Sequence, residues 1–264
     1  MTKSNNKAAK YICLAAFIIC SIAMLVCEIY KSRLFGSSPN SDLYYSIASR
    51  FFGTLLCIVL VIYCGFKGIL RIGYSPILKG LLVVLPCWVI ALNNFPIIPV
   101  AMGTAKVTAD IKSILLYAVS CLFVGIFEEL AYRGCVFMLI LKGMRKTNKD
   151  IFKAIIFSSA LFGCIHLVNL LAGAGPIGVI LQVGYSFLIG AMCSFVLIKT
   201  GSVWHCALIH AVYNFCGGIV SSYGVGEVWT AHEVVLTVIV SIAVIIYVVS
   251  ALCKTEPKEA ERLF

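Results

Sequence analysis

Apolar residues in this chain fall in long unbroken blocks, without the strict alternation of a strand or the narrow stripe of a surface helix. Eight blocks approach the roughly 20 residues needed to cross the hydrocarbon core of a bilayer. They cover 11–30, 47–66, 78–95, 113–141, 152–172, 177–198, 202–220 and 234–253. The third is interrupted by Pro86 and closes at Asn93-Asn94. The fourth, about 29 residues, would be roughly 43 Å long at 1.5 Å per residue. It therefore predicts a steep tilt, a break near Gly125 or an extension beyond the bilayer. The pattern as a whole predicts an all-α fold, a polytopic transmembrane helical bundle of about eight spans.

Composition agrees with the pattern. Apolar residues make up 61% of the chain and charged residues 12%, about half the charge that a soluble surface carries. Mean hydropathy is +1.03. With the N-terminus inside, 15 of the 21 Lys and Arg fall in segments on the cytoplasmic side. Lys31, Arg33, Arg50, Lys106 and Lys112 fall opposite, and Arg133 lies within a span. This bias predicts both termini in the cytoplasm. It also makes the net charge of +10 a topology signal, most concentrated from Lys142 to Lys153. The expected partner is the lipid bilayer, with no nucleic acid, and the expected location is the cell (plasma) membrane. The first block follows a basic segment but has no clear small-residue cleavage site after it, so it reads as a retained helix. Most of the 13 cysteines sit inside apolar blocks with no C-x-x-C pair, where they act as small hydrophobes. No soluble domain, linker or repeat interrupts the chain, which reads as one integral membrane domain over 1–264.

Against this background a few polar residues stand out. Glu128, Glu129 and Arg133 lie inside the fourth block, in Phe127-Glu-Glu-Leu-Ala-Tyr-Arg-Gly134. Uncompensated, three such charges would cost roughly 8–10 kcal/mol on insertion scales. Glu129 and Arg133, four apart on a helix, can neutralise each other. Glu128 points about 100° away and has no local cation. An apolar site favours the protonated form of a carboxylate, which suits a general base. His166 lies in the fifth block, in Phe162-Gly-Cys-Ile-His166. His210 and Asn214, in His210-Ala-Val-Tyr-Asn214, share one face of the seventh. Counting from the basic ends, Glu128 and His166 lie roughly 20 Å deep and His210 roughly 16 Å, so the three can meet. His205 points about 140° away from His210 and, beside Trp204, reads as an interface residue. His232 is expected in the loop before the last helix. Asn93, Asn94, Asn169 and Gln182 are expected to hydrogen-bond between helices, and Tyr132 and Phe162 to pack or line a substrate groove.

Taken together, Glu128-Glu129-x-x-x-Arg133, Phe162-x-x-x-His166 and His210-x-x-x-Asn214, in that order on separate spans, resemble the CPBP family. These are the CAAX-processing and bacteriocin-processing intramembrane proteases, also called the Abi family. The resemblance covers 111–220, the expected catalytic core. It implies an intramembrane endopeptidase acting on a peptide or lipidated-peptide substrate. Glu128 would activate water, with His166 positioning it. His210 and Asn214 would stabilise the oxyanion. Glu129 and Arg133 would form a supporting ion pair, though Glu129 could share the role of base. No cofactor is required. One alternative is a zinc metalloprotease with Glu128, His166 and His210 as ligands. Another is a non-enzymatic membrane scaffold or immunity protein of the same fold. Intramembrane carboxylates would also serve a transporter, but no inverted repeat accompanies them.

Overall fold

Local capping signals set several helix boundaries in the computed structural model, which describes residues 40–73, 77–144 and 147–264. The predicted span at 11–30 lies outside these. Helix α1, Ser41–Tyr63, starts ahead of its apolar block, with Asp42 in its first turn opposing the positive end of the helix dipole. The block at 78–95 is divided beside Pro86 into α2, Ile77–Val83, and α3, Leu85–Asn93, neither of spanning length. Proline cannot donate to the turn before it. The break leaves the Val83 carbonyl to accept from the Tyr247 hydroxyl at 2.7 Å. A short α4, Ile97–Ala101, leads into strand β1, Ala105–Val107.

The Asp110 carboxylate accepts from the backbone N–H of Ser113 at 3.0 Å and so caps the longest helix. This is α5, a continuous 33-residue element, Ile111–Gly143, about 50 Å long. It does not break at Gly125. Its irregularity lies further on, where Leu130–Phe137 winds as π-helix. A Thr147/Asp150 capping box starts α6, Asn148–Ile165, which tightens into a 3-10 turn over His166–Leu170. Helix α7, Pro176–Thr200, ends at Gly201 in the left-handed conformation (φ 71°). Helix α8, Val203–Tyr223, runs into strand β2, Gly224–Gly226, which pairs antiparallel with β1. Thr230 caps α9, Ala231–Cys253, placing His232 in a first turn instead of the predicted loop. A short α10, Pro257–Glu261, follows.

Among the described residues, six helical segments are long and apolar enough to cross a membrane: α1, α5, α6 with its 3-10 turn, α7, α8 and α9. The protein is an all-α helical bundle. Helix α5 packs on α8 and α1, and α6 on α7. Glycines permit the close crossings, as in membrane helix pairs. A Cβ at Gly125 would lie 2.6 Å from the Ala207 carbonyl oxygen, and one at Gly163 2.8 Å from that of Val183. The outer faces are apolar, with Val235, Val238, Ile239, Ile242 and Ile246 exposed on α9 and Ile177, Ile180 and Leu181 on α7. Polar bonds tie α9 to the bundle along its length: Glu233 to the Ile98 N–H, Asn93 to Thr237, Tyr247 to Val83 and Asn148 to the Leu252 carbonyl.

Candidate active site

Three helices bring the predicted polar residues together. Glu128 and Glu129 come from the end of the α-helical part of α5, immediately before the π segment that carries Arg133. His166 lies where α6 tightens into its 3-10 turn, and His210 and Asn214 lie on one face of α8. Among the residues lining a cavity of about 150 Å³ are Glu128, His166, His210 and Asn214, together with Phe162, Gln182 and Tyr185.

His210 is the pivot of the cluster. Its Nδ1 lies 2.8 Å from Glu129 Oε1 and its Nε2 3.6 Å from Glu128 Oε2, so the ring stands between the two carboxylates. A carboxylate only accepts, so Nδ1–H is the donor to Glu129. That leaves Nε2 facing Glu128 and the cavity. Behind this contact Arg133 Nε pairs with Glu129 Oε2 at 3.1 Å, both side chains almost fully buried. Glu129 is thus enclosed and committed to His210 and Arg133, whereas the Glu128 side chain remains 20% exposed toward the cavity. The ion pair expected from the spacing is present. The pairing of both glutamates with one histidine was not foreseen, because residues 81 positions apart reveal nothing about each other's rotation in a sequence.

Phe162 holds the cluster from the α6 side. Its carbonyl accepts from the His166 Nδ1–H at 3.0 Å, which leaves Nε2 of His166 as the free ring nitrogen. Its ring lies 4.4 Å beneath the Arg133 guanidinium and meets the His166 and His210 rings edge-on at 5.3 and 5.8 Å. Tyr132 packs on it at 4.8 Å. The guanidinium needs the space left by Gly190, whose Cβ would lie 2.9 Å from Arg133 Nη2. Asn169 Nδ2 donates to Gln182 Oε1 at 2.7 Å across the α6–α7 turn. His205 is not among the residues lining this cavity, and the neighbouring Trp204 Nε1 donates to the Leu70 carbonyl.

A second, larger cavity of about 960 Å³ adjoins the first. It runs between α9 and the inner faces of α5 to α8, with Asn94 and Tyr117 in its wall, and is mainly apolar. Val124, Tyr185, Ile189, Tyr213 and Asn214 line both cavities. Sequence reading gave no sign of it. The residues that enclose it are ordinary span residues, and only the spacing of α9 from its neighbours creates the volume.

Residues 110–216 match the family model described as type II CAAX prenyl endopeptidase Rce1-like. The match runs from the Asp110 cap to the residues just past Asn214, and the family is a protease family. The family read from the three motifs is the one that matches. No curated protein and no solved structure matches the chain. With six spanning helices among the described residues, the chain is an integral multi-pass membrane protein.

Proposed function

We propose that this integral membrane protein, with its Rce1-like segment at residues 110–216, is an intramembrane endopeptidase of the glutamate type. The observation that carries the proposal is the convergence of Glu128, His166, His210 and Asn214, from three helices, on one small cavity. Water held between the Glu128 carboxylate and the free Nε2 of His166 would attack the scissile carbonyl as Glu128 takes its proton. The oxyanion role requires His210 to enter the step with both ring nitrogens protonated, between the two carboxylates, and it keeps both protons throughout. Its Nδ1–H stays on Glu129, and its Nε2–H, with the Asn214 amide, donates to the oxyanion. Collapse of the tetrahedral intermediate breaks the C–N bond, and the proton on Glu128 passes to the leaving amine. Glu129 and Arg133 fix the His210 ring and take no part in proton transfer.

The substrate class follows from the family description together with the larger cavity. A volume of this order takes a whole small ligand, and an apolar lining suits a prenyl chain. The chain would lie beneath α9 while the peptide portion reaches Glu128 through the shared wall at Tyr185 and Asn214. The excess of Lys and Arg in alternate loops supports a cytoplasmic position for both termini, and we assign the protein to the cell membrane.

The test uses purified protein in detergent with prenylated C-a-a-X peptides and, as a control, unprenylated leader peptides, with products identified by mass spectrometry. Wild type is expected to cleave the prenylated peptides, and Glu128→Ala and His210→Ala to leave them intact. Full cleavage by Glu128→Ala would sink the proposal. A chelator that abolishes activity, with zinc restoring it, would replace the glutamate mechanism by the zinc alternative at the same residues.

A further inference from the structure

We infer that Asn94 and Tyr117 are positioning residues, holding α8 so that Asn214 presents its amide to the reacting carbonyl. The inference rests on the protease reading above and concerns residues outside its motifs. In an α-helix the carbonyls of Tyr213 and Asn214 accept from the N–H groups four residues on, Gly217 and Gly218. Each carbonyl oxygen has a second lone pair. On the Tyr213 carbonyl it accepts from Asn94 Nδ2 at 2.8 Å, and on the Asn214 carbonyl from the Tyr117 hydroxyl at 3.2 Å. Two neighbouring peptide groups of the same turn are therefore clamped from two other parts of the fold, α5 and the end of α3.

The glycines make the clamp possible. A Cβ on Gly217 would overlap the Asn94 amide, and one on Gly218 the Tyr117 hydroxyl. Neither glycine has positive φ. Adjacent glycines inside a helix weaken it and here meet no conformational need, so the notch they open is their evident use. Tyr117 also stands 11 residues before Glu128, three turns away on the same face of α5. The helix that carries the base thus also grips the helix that carries the oxyanion donor. Packing against Phe215 and Tyr223, with centroids at 5.7 and 5.0 Å, keeps the Tyr117 ring from swinging away.

The readout is kinetic. Tyr117→Phe removes one oxygen, and Asn94→Leu removes the donor at similar size. A displaced catalytic group can cost up to about 100-fold per ångström. Each variant is therefore expected to lower kcat for a prenylated peptide on the order of 10-fold; because Asn94 and Tyr117 also line the larger cavity, the quantity compared is kcat at saturating peptide. The same substitutions are then placed in an Asn214→Ala background. If Asn94 and Tyr117 act through Asn214, they cost nothing further there. Equal fold-losses in both backgrounds, or wild-type kcat for both single variants, overturn the inference and leave the protease reading standing. Asn214→Ala cleaving at the wild-type rate brings down the oxyanion assignment and this inference together. A supporting arm uses Gly218→Ala, expected to lower kcat, with Tyr117→Phe in the same chain recovering part of the loss by removing the overlapping hydroxyl.

Discussion

Replacing Arg133 by Met asks whether the ion pair behind His210 is the element that makes Glu129 tolerable inside the bundle. Arg133 Nε stands 3.1 Å from Glu129 Oε2, and the two side chains are 2% and 0% exposed. At a surface such a pair contributes at most about 1 kcal/mol. Here neither partner has water to turn to, and removing one strands a buried charge at a cost of about 3–5 kcal/mol. Met has comparable length and can keep a favourable contact with the Phe162 ring that the guanidinium now covers. Lost packing is therefore the smaller part. In a chain of this size the loss corresponds to a fall in Tm on the order of 10 °C. The double variant Glu129→Gln/Arg133→Met removes both charges, and replacing a buried pair by neutral groups is often close to neutral. Thermal unfolding in detergent, read by loss of the monodisperse peak on size exclusion, is the assay. The single variant is expected to melt far below wild type and the double to recover most of the difference. The double variant should not recover cleavage, since it also removes the Glu129 carboxylate to which His210 Nδ1–H donates. An Arg133→Met protein that melts with wild type, or a double variant no better than the single, refutes the argument.

Other expectations follow from the same geometry. Glu128→Gln should lower cleavage by roughly 10²–10⁴-fold with Tm within a few degrees of wild type, read by mass spectrometry and unfolding on the same preparation. Gly125→Val should destabilise by about 1–3 kcal/mol, because its Cβ meets the Ala207 carbonyl oxygen at 2.6 Å; the melting temperature checks this. Tyr247→Phe strands the Val83 carbonyl and should cost about 1 kcal/mol, measured in the same unfolding assay. At the C-terminal end, burial pushes the Glu259 carboxyl up. The hydrogen bonds from Lys199 and the Glu256 N–H and the charges of Lys199 and Arg262 outweigh this and hold it below its ordinary value. A lowered folded-state value stabilises above the unfolded carboxylate range and is lost as pH falls through the folded value. Protection from hydrogen exchange over 257–264, taken relative to the intrinsic rate at each pH, should therefore fall in acid in wild type, and already be low near neutral pH in Glu259→Gln.

What the sequence made legible was whatever its own periodicity encodes. Four-residue spacing put Glu129 with Arg133 and His210 with Asn214, and the structure has both pairs on shared faces. The lengths of apolar blocks found α1 and α5 to α9 with ends shifted by a few residues, since polar first turns such as Ser41-Asp42 extend a helix past its apolar run. Pro86 marked the division between α2 and α3. Contacts between helices were not legible, because they depend on rotation and tilt. His210 between two carboxylates, Phe162 beneath Arg133 and the paired notch at Gly217-Gly218 all belong to that class. The notch did leave a trace, two glycines in mid-span. The large cavity left none, because Thr237, Ser241 and Val244 look the same whether or not a neighbour touches them.

The π-helical stretch from Leu130 to Phe137 bears on how this helix tolerates changes in length. A π turn is an α-helix that has absorbed a surplus residue. The halves of α5 on either side are therefore offset by about one residue's rotation, some 100°. One half directs Glu128 and Glu129 at α8, and the other turns Met138 and Leu141 into the core. Deleting a single residue from the stretch would restore an ordinary α-helix and put the two halves back in phase. One of the two faces would then point wrongly. A one-residue deletion there should consequently leave a helix of spanning length and destroy the register between the acidic pair and its histidine. The same deletion near Ile111, before the acidic pair, would alter only the loop that leads in.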